Sequence, residues 1–206
     1  MNSTITAFIE SGVLELYVMG AASPQESLAV EQMAAAHPQI RHELDIISQA
    51  MERYAQAHAV KPRNVVKPLL MATIDYMERM QQGELPVSPP EITPNSRPQD
   101  YALWLNRQDM VLPHDADEIY AKIIGYTPAA TTAIVWIKEA ADQEVHHDEQ
   151  ERFLILEGTC DIIAGGNTYS LAAGDFFAVP LHTPHMFKVT SAVPCKAILQ
   201  RLSVAS

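Results

Sequence analysis

Apolar positions recur at helical spacing through roughly the first eighty residues, then give way beyond residue 130 to short runs separated by turn residues. From Thr4 to Met19, Ile5, Phe8, Ile9, Val13, Leu16 and Tyr17 step by three and four, which predicts one amphipathic helix stopped by Gly20. Ser23-Pro24-Gln25-Glu26 has the form of a capping box with proline at the first helical position, opening a helix through Ala36. His37-Pro38 breaks it. A third helix from Pro38 to about His58 places Ile40, Leu44, Ile47, Met51 and Tyr54 on one stripe. After Lys61-Pro62 a fourth is expected to about Gln82, kinked at Pro68, with Met71, Met77 and Met80 on one face.

Prolines 86, 89, 90, 94 and 98 crowd the next segment, where they remove backbone donors and exclude the helical region for their predecessors. It reads as an extended linker. Past it, TTAIVWIK (131–138), RFLILE (152–157) and runs at 160–164, 168–171, 176–179, 185–190 and 196–202 are short and rich in β-branched and aromatic residues. Gly, Pro or Asn separate them, the pattern of an antiparallel barrel or sandwich, and Gly165-Gly166-Asn167 suits a hairpin turn. The fold class is therefore α+β: a helical domain (1–82), a proline-rich linker (83–100) and a β-barrel domain (101–206).

Composition narrows the functional classes. Apolar residues make up 48% of the 206, enough for a substantial core. A net charge of −11 argues against direct binding of nucleic acid or of an anionic membrane, and suits a basic protein partner. The two cysteines, Cys160 and Cys195, form no CxxC pair and fit a reducing compartment. No apolar run approaches the length of a membrane span, and the N-terminus lacks a basic leader, so a soluble cytoplasmic protein is expected.

Four of the eight histidines fall between residues 146 and 185, in two patches: Glu144-Val145-His146-His147-Asp148-Glu149-Gln150-Glu151, and Gly174 through His182 to His185. Imidazoles and carboxylates gathered from separate strands suit borderline divalent metals. The spacing of Glu151 and Gly158, and of Gly174, Pro180 and His185, resembles the two motifs of the cupin superfamily over residues 101 to 202. His182 stands where the second motif has glycine. The resemblance implies that Glu151 and His185 are ligands of a divalent metal, with zinc favoured over iron, manganese or nickel.

The His-x-His of the first motif is broken, and two registers remain. Either His147 is the second histidine and Val145 replaces the first, or His146 takes that role and Glu144 replaces the first. Side chains alternate along a strand, so His146 and His147 should not both face inward unless the strand is bulged. Lys188 and Arg201 read as ordinary surface charge, and no arginine clamp is evident.

In the first half, FIESGVLELYVMG with SPQES and AAHP resembles the N-terminal segment of bacterial anti-sigma factors, over about residues 5 to 75. Followed by the linker and cupin, it resembles cytoplasmic anti-sigma factors of the singlet-oxygen-response type. That resemblance implies an extracytoplasmic-function sigma factor as partner and the cupin as sensor, with a small-molecule ligand in the barrel and a homodimer both compatible. Those proteins carry a His-x3-Cys-x2-Cys zinc site in the helical domain, whereas this chain has no cysteine before Cys160. Leu14, Tyr17, Met71 and Met77 are the expected partner contacts. The competing expectation is a small-molecule metalloenzyme of oxygenase or isomerase type with a helical accessory domain.

Overall fold

The computed structural model describes residues 3–204, and the chain divides into two compact units, residues 1–61 and 62–206. The first unit is helical: α1 (Ser3–Ile9), α2 (Val13–Val18), α3 (Pro24–Ala36) and α4 (Pro38–Ala57). The single helix expected over residues 4–19 is two. Gly12 lies between them with φ of 79°, a left-handed conformation that glycine adopts at little cost and that ends the first helical path. The break lets α1 and α2 both turn apolar residues onto one core, where Ile5, Leu14, Val30 and Ile40 are buried. The Ser23 cap forms as expected: its hydroxyl accepts from the Glu26 amide, and the Glu26 carboxylate accepts from the Ser23 amide.

The second unit begins with α5 (Val66–Gln81) and continues as an antiparallel β-sandwich. Its strands are β1 (Ile119–Thr127), β2 (Ala130–Ile137), β3 (Ala140–Glu144), β4 (Glu149–Glu157), β5 (Thr159–Ala164), β6 (Asn167–Ala172), β7 (Phe176–Ala178), β8 (His185–Val189) and β9 (Cys195–Ser203). They form a five-stranded sheet in the order β1-β2-β9-β4-β7 and a four-stranded sheet in the order β3-β8-β5-β6. Gly165 and Gly166, both left-handed, make the hairpin between β5 and β6. Cys160 and Cys195 are free and fully buried between the sheets.

The division at Lys61 differs from the boundary expected at residues 83–100. Helix α5 belongs with the barrel and packs on β1, because Leu69, Ala72 and Tyr76 form an apolar face that joins the barrel core. Pro68 sits in the first turn of α5, where a missing amide breaks no helical hydrogen bond, so no kink results. Asn64 fastens the start of the helix to β3: its side chain donates to the Ala140 carbonyl and accepts from the Asp142 amide, each at 2.9 Å.

The proline-rich segment is extended but is not a free linker. It crosses the outer face of the five-stranded sheet as a strap and continues into a short 3-10 turn (Pro98–Tyr101) and α6 (Ala102–Leu105). Ile92, Tyr101, Trp104 and Met110 bury there against Ile134, Trp136, Leu154 and Ile198. The strap's backbone needs partners that proline-rich sequence cannot supply, and the side chain of Gln200 provides them: its Oε1 accepts from the Ile92 amide at 2.8 Å and its Nε2 donates to the Pro90 carbonyl. Both faces of the five-stranded sheet are thus covered, which accounts for the nearly unbroken apolar run in β2.

Candidate metal centre

Two cross-strand pairs face each other inside the sandwich. In the five-stranded sheet Glu151 on β4 is opposite Arg201 on β9, and in the four-stranded sheet Glu144 on β3 is opposite His185 on β8. Strand alternation turns Glu151, Phe153 and Ile155 inward together, so the carboxylate enters the site on the same face that builds the apolar interior. His146 lies in the loop between β3 and β4. That loop is held by the bond from the His182 amide to the His146 carbonyl, 2.9 Å.

Nε2 of His185 is 2.9 Å from Glu151 Oε2, and Nε2 of His146 is 3.6 Å from both Glu151 Oε1 and Glu144 Oε2. One donor atom each from His146, Glu151 and His185 falls within 4.8 Å of the others. The structure therefore brings together His146, Glu151, His185 and Glu144, the second of the two registers. His147 is not among them. It is exposed and turns outward to His182, with their Nδ1 atoms 2.9 Å apart. His182 is left-handed (φ 58°), so it adopts the backbone that the motif glycine would supply. Gly158 is left-handed as well, and a Cβ there would lie 2.7 Å from Ser191 Oγ and 3.2 Å from Cys195 Cα.

Arg201 corrects the expectation of ordinary surface charge. Its guanidinium is largely buried, with Nε donating to Glu151 Oε1 at 2.9 Å and Nη2 to Glu144 Oε2 at 3.3 Å. No local motif announces it; only the pairing of β4 with β9 sets it opposite Glu151.

Burial pushes the Glu151 carboxyl up, but the hydrogen bond from His185 and the charges of Arg201 and His146 outweigh it and hold the group below its ordinary range. Burial pushes the His185 imidazole down, and the hydrogen bonds to Glu151 and to the Thr183 carbonyl leave it raised. The signs fix a stability window for the metal-free barrel. A lowered carboxyl contributes stability that is present above its ordinary 4.5 and is lost as pH falls through the folded value. A raised imidazole contributes stability that is full below its ordinary 6.5 and is lost as pH rises through the folded value. Urea unfolding of the metal-free chain should therefore show this contribution greatest between about pH 4.5 and 6.5 and smaller on both sides, with His185→Gln removing the alkaline decline. An unchanged alkaline slope in that variant would contradict the assignment.

The residues fit a divalent first-row metal. The buried Nε2 of His146 has no hydrogen-bond partner and faces two carboxylate oxygens, a mixed imidazole–carboxylate set that such ions accept. A small, mostly apolar cavity adjoins the site. Val65, Leu69, Val135, Phe153, Phe187 and Leu199 are among its apolar walls, and Glu144, Glu151, His185 and Arg201 gather at its polar end.

Residues 133–201 match the family model described as cupin domain. The C-terminal half carries a cupin domain. Among curated proteins, a quercetin 2,3-dioxygenase of Bacillus subtilis (strain 168) is 34% identical over 53 residues, which is 26% of this chain and only 16% of that protein. Among solved structures, KdgF from Halomonas sp. aligns with a TM-score of 0.41 at 19% identity, covering 45% of this chain and 87% of that one. A protein of Thermus thermophilus aligns with a TM-score of 0.42 at 17% identity, covering 45% and 90%. The Cnp3 cupin domain of Schizosaccharomyces pombe gives 0.41 at 12%, covering 43% and 67%. Within the cupin domain, a metal would be held by His146, Glu151 and His185, with Glu144 at the place of the missing motif histidine.

Proposed function

We propose that this chain is a cytoplasmic anti-sigma factor in which a metal-binding cupin domain senses a signal. The observation that carries the reading is the joining of a self-contained helical unit, whose sequence resembles the anti-sigma segment, to a cupin domain with a built imidazole–carboxylate site. The helical unit encloses its own core, so it has no need of a cysteine-ligated zinc. Its surface carries exposed Met19, Leu28, Ile46, Met51 and Tyr54, and these are the side chains offered to a sigma factor.

The expected contacts are revised accordingly. Leu14 is fully buried and Tyr17 packs against the same core, so both hold the bundle together rather than meet a partner. Met71 and Met77 are 53% and 55% exposed, but on α5 of the second unit. They remain candidate contacts, supplied by the cupin side of the chain. Deleting residues 60–82 would remove part of the cavity wall, so Met71→Glu with Met77→Glu is the test of α5.

Full-length protein co-expressed with an extracytoplasmic-function sigma factor from the same genome should form a complex and silence a reporter. Leu28→Glu with Tyr54→Glu should weaken the complex by about tenfold or more, since a few side chains buried at the centre of an interface, tyrosine prominent among them, carry most of its binding energy. Sinking the regulator reading would take full-length protein, folded and metal-loaded, that captures none of those sigma factors.

A second reading is favoured by the apolar cavity opening onto the site and by the short stretch shared with the quercetin dioxygenase. In that reading the metal, when bound, would act as a Lewis acid toward a small apolar substrate. Metal-dependent turnover of such a compound by the full chain would support it. In either reading the metal is tested by elemental analysis of purified protein together with the thermal shift on adding zinc; the absence of both a bound metal and a shift would remove it.

A further inference from the structure

The two oxygens that face the unpartnered nitrogen of His146 are already held by a cation. Nε2 of His146 lies 3.6 Å from Glu151 Oε1 and from Glu144 Oε2, and the guanidinium of Arg201 takes the same two atoms, at 2.9 Å and 3.3 Å. The pair Glu144 and Arg201 also preserves the charge of the site. Two carboxylates against one guanidinium leave one negative charge, as one carboxylate among neutral imidazoles would.

Guanidinium remains charged at any working pH, so it cannot yield its place by losing a proton. It yields by moving, and the structure offers a destination. Arg201 also lines a neighbouring recess bounded by Leu69 and Thr73 of α5, by Thr131 and Leu199, and by the Glu149 carboxylate.

We propose that Arg201 is the resident counter-cation of this site. It occupies the oxygens of Glu144 and Glu151 in the metal-free protein and is displaced by a divalent ion into the recess beside Glu149 and α5. The proposal rests on the metal reading given above and concerns how the ion gains entry. Two cations on those oxygens repel each other in a dry interior several times more strongly than in water. Binding is therefore a competition. The site is weaker and more readily exchanged than its ligands alone would make it, and loading it pushes a long side chain against α5.

The experiment is zinc and cobalt(II) titration of the full-length chain by calorimetry, with thermal melting of the metal-free and loaded forms. Arg201→Met should bind zinc about tenfold or more tightly than the parent, melt lower without metal and gain more on loading. Arg201→Lys should also bind more tightly, because a compact ammonium bridges two carboxylates less well than a guanidinium fork. Glu149→Gln should weaken zinc binding by a few-fold, since it removes the anionic wall of the recess that receives the guanidinium. Equal or weaker binding by a folded Arg201→Met would overturn the competition and make Arg201 a group that merely positions Glu151. If that variant does not fold, Arg201→Lys carries the test, and parental affinity overturns the proposal. Should neither the parent nor the Arg201 variants bind either ion, the metal reading itself falls; parental binding without any gain removes this inference alone.

Discussion

Glu151→Leu is expected to destabilise the metal-free barrel by about 3–5 kcal/mol and to lower zinc affinity by a hundredfold or more. Glu151 is 3% exposed and serves two partners at once, accepting from His185 Nε2 at 2.9 Å and from Arg201 Nε at 2.9 Å. Leucine would fill most of the volume but leave a buried guanidinium with Glu144 as its remaining anionic partner in the site, and an imidazole with none. Removing one member of a buried pair is the costly direction, because the charge left behind keeps its desolvation penalty. Glu151→Gln separates shape from charge. The amide oxygen still accepts a hydrogen bond, so its loss in stability should be smaller while zinc binding still falls. Urea unfolding monitored on the barrel, paired with zinc titration, reads both effects. Parental stability and affinity in Glu151→Leu would mean that the carboxylate is not the hub described.

Gln200→Leu should loosen the proline-rich strap at a cost of about 3 kcal/mol. Gln200 is 1% exposed and tied to three groups: the Ile92 amide at 2.8 Å, the Thr132 hydroxyl at 2.9 Å and the Pro90 carbonyl at 3.3 Å. The Thr132 hydroxyl accepts from Gln200 Nε2 and stays free to turn its own proton to another group, whereas the Ile92 amide and the Pro90 carbonyl are backbone groups with fixed directions. Each buried group left unsatisfied costs roughly 1–3 kcal/mol. The loss should be local as well as global, so amide exchange at Ile92 and its neighbours should quicken more than exchange in β2. The contrasting change, Ile198→Val on the same face of β9, trims one methyl and leaves every polar contact; about 1 kcal/mol is expected. If Gln200→Leu costs no more than Ile198→Val, the strap is held by apolar burial alone.

The elements legible in the sequence were those whose causes are local. The Ser23 capping box, the break at His37-Pro38 and the Gly165-Gly166 hairpin depend on residues within one turn of each other, and each forms where the sequence places it. The spacing from Glu151 to Gly158 and from Gly174 to His185 likewise marked the sandwich and one side of its site. What escaped depends on distant partners. The choice between His146 and His147 depends on a loop bond to His182. Arg201 looks like any terminal-strand arginine until β4 pairs with β9. Helix α5 carries apolar residues on two faces, and periodicity alone does not say which one the barrel takes. The prolines correctly forbade helix and central strand at residues 86–98, yet an extended segment can be a tether or a strap, and Gln200 decides which.

Leu69 lines the cavity, and Leu70, the next residue, is 58% exposed, about 100° farther round α5. Val66, Ile74 and Met77 continue that outer face. If the cavity takes the signal and this face meets the partner, as proposed above, the two lie one peptide unit apart, about 3.8 Å along the chain. A helix is stiff at this length, so a shift of Leu69 by whatever fills the cavity carries Leu70 with it. No relay of side chains across the domain is needed; the wall of the chamber is also its outer face.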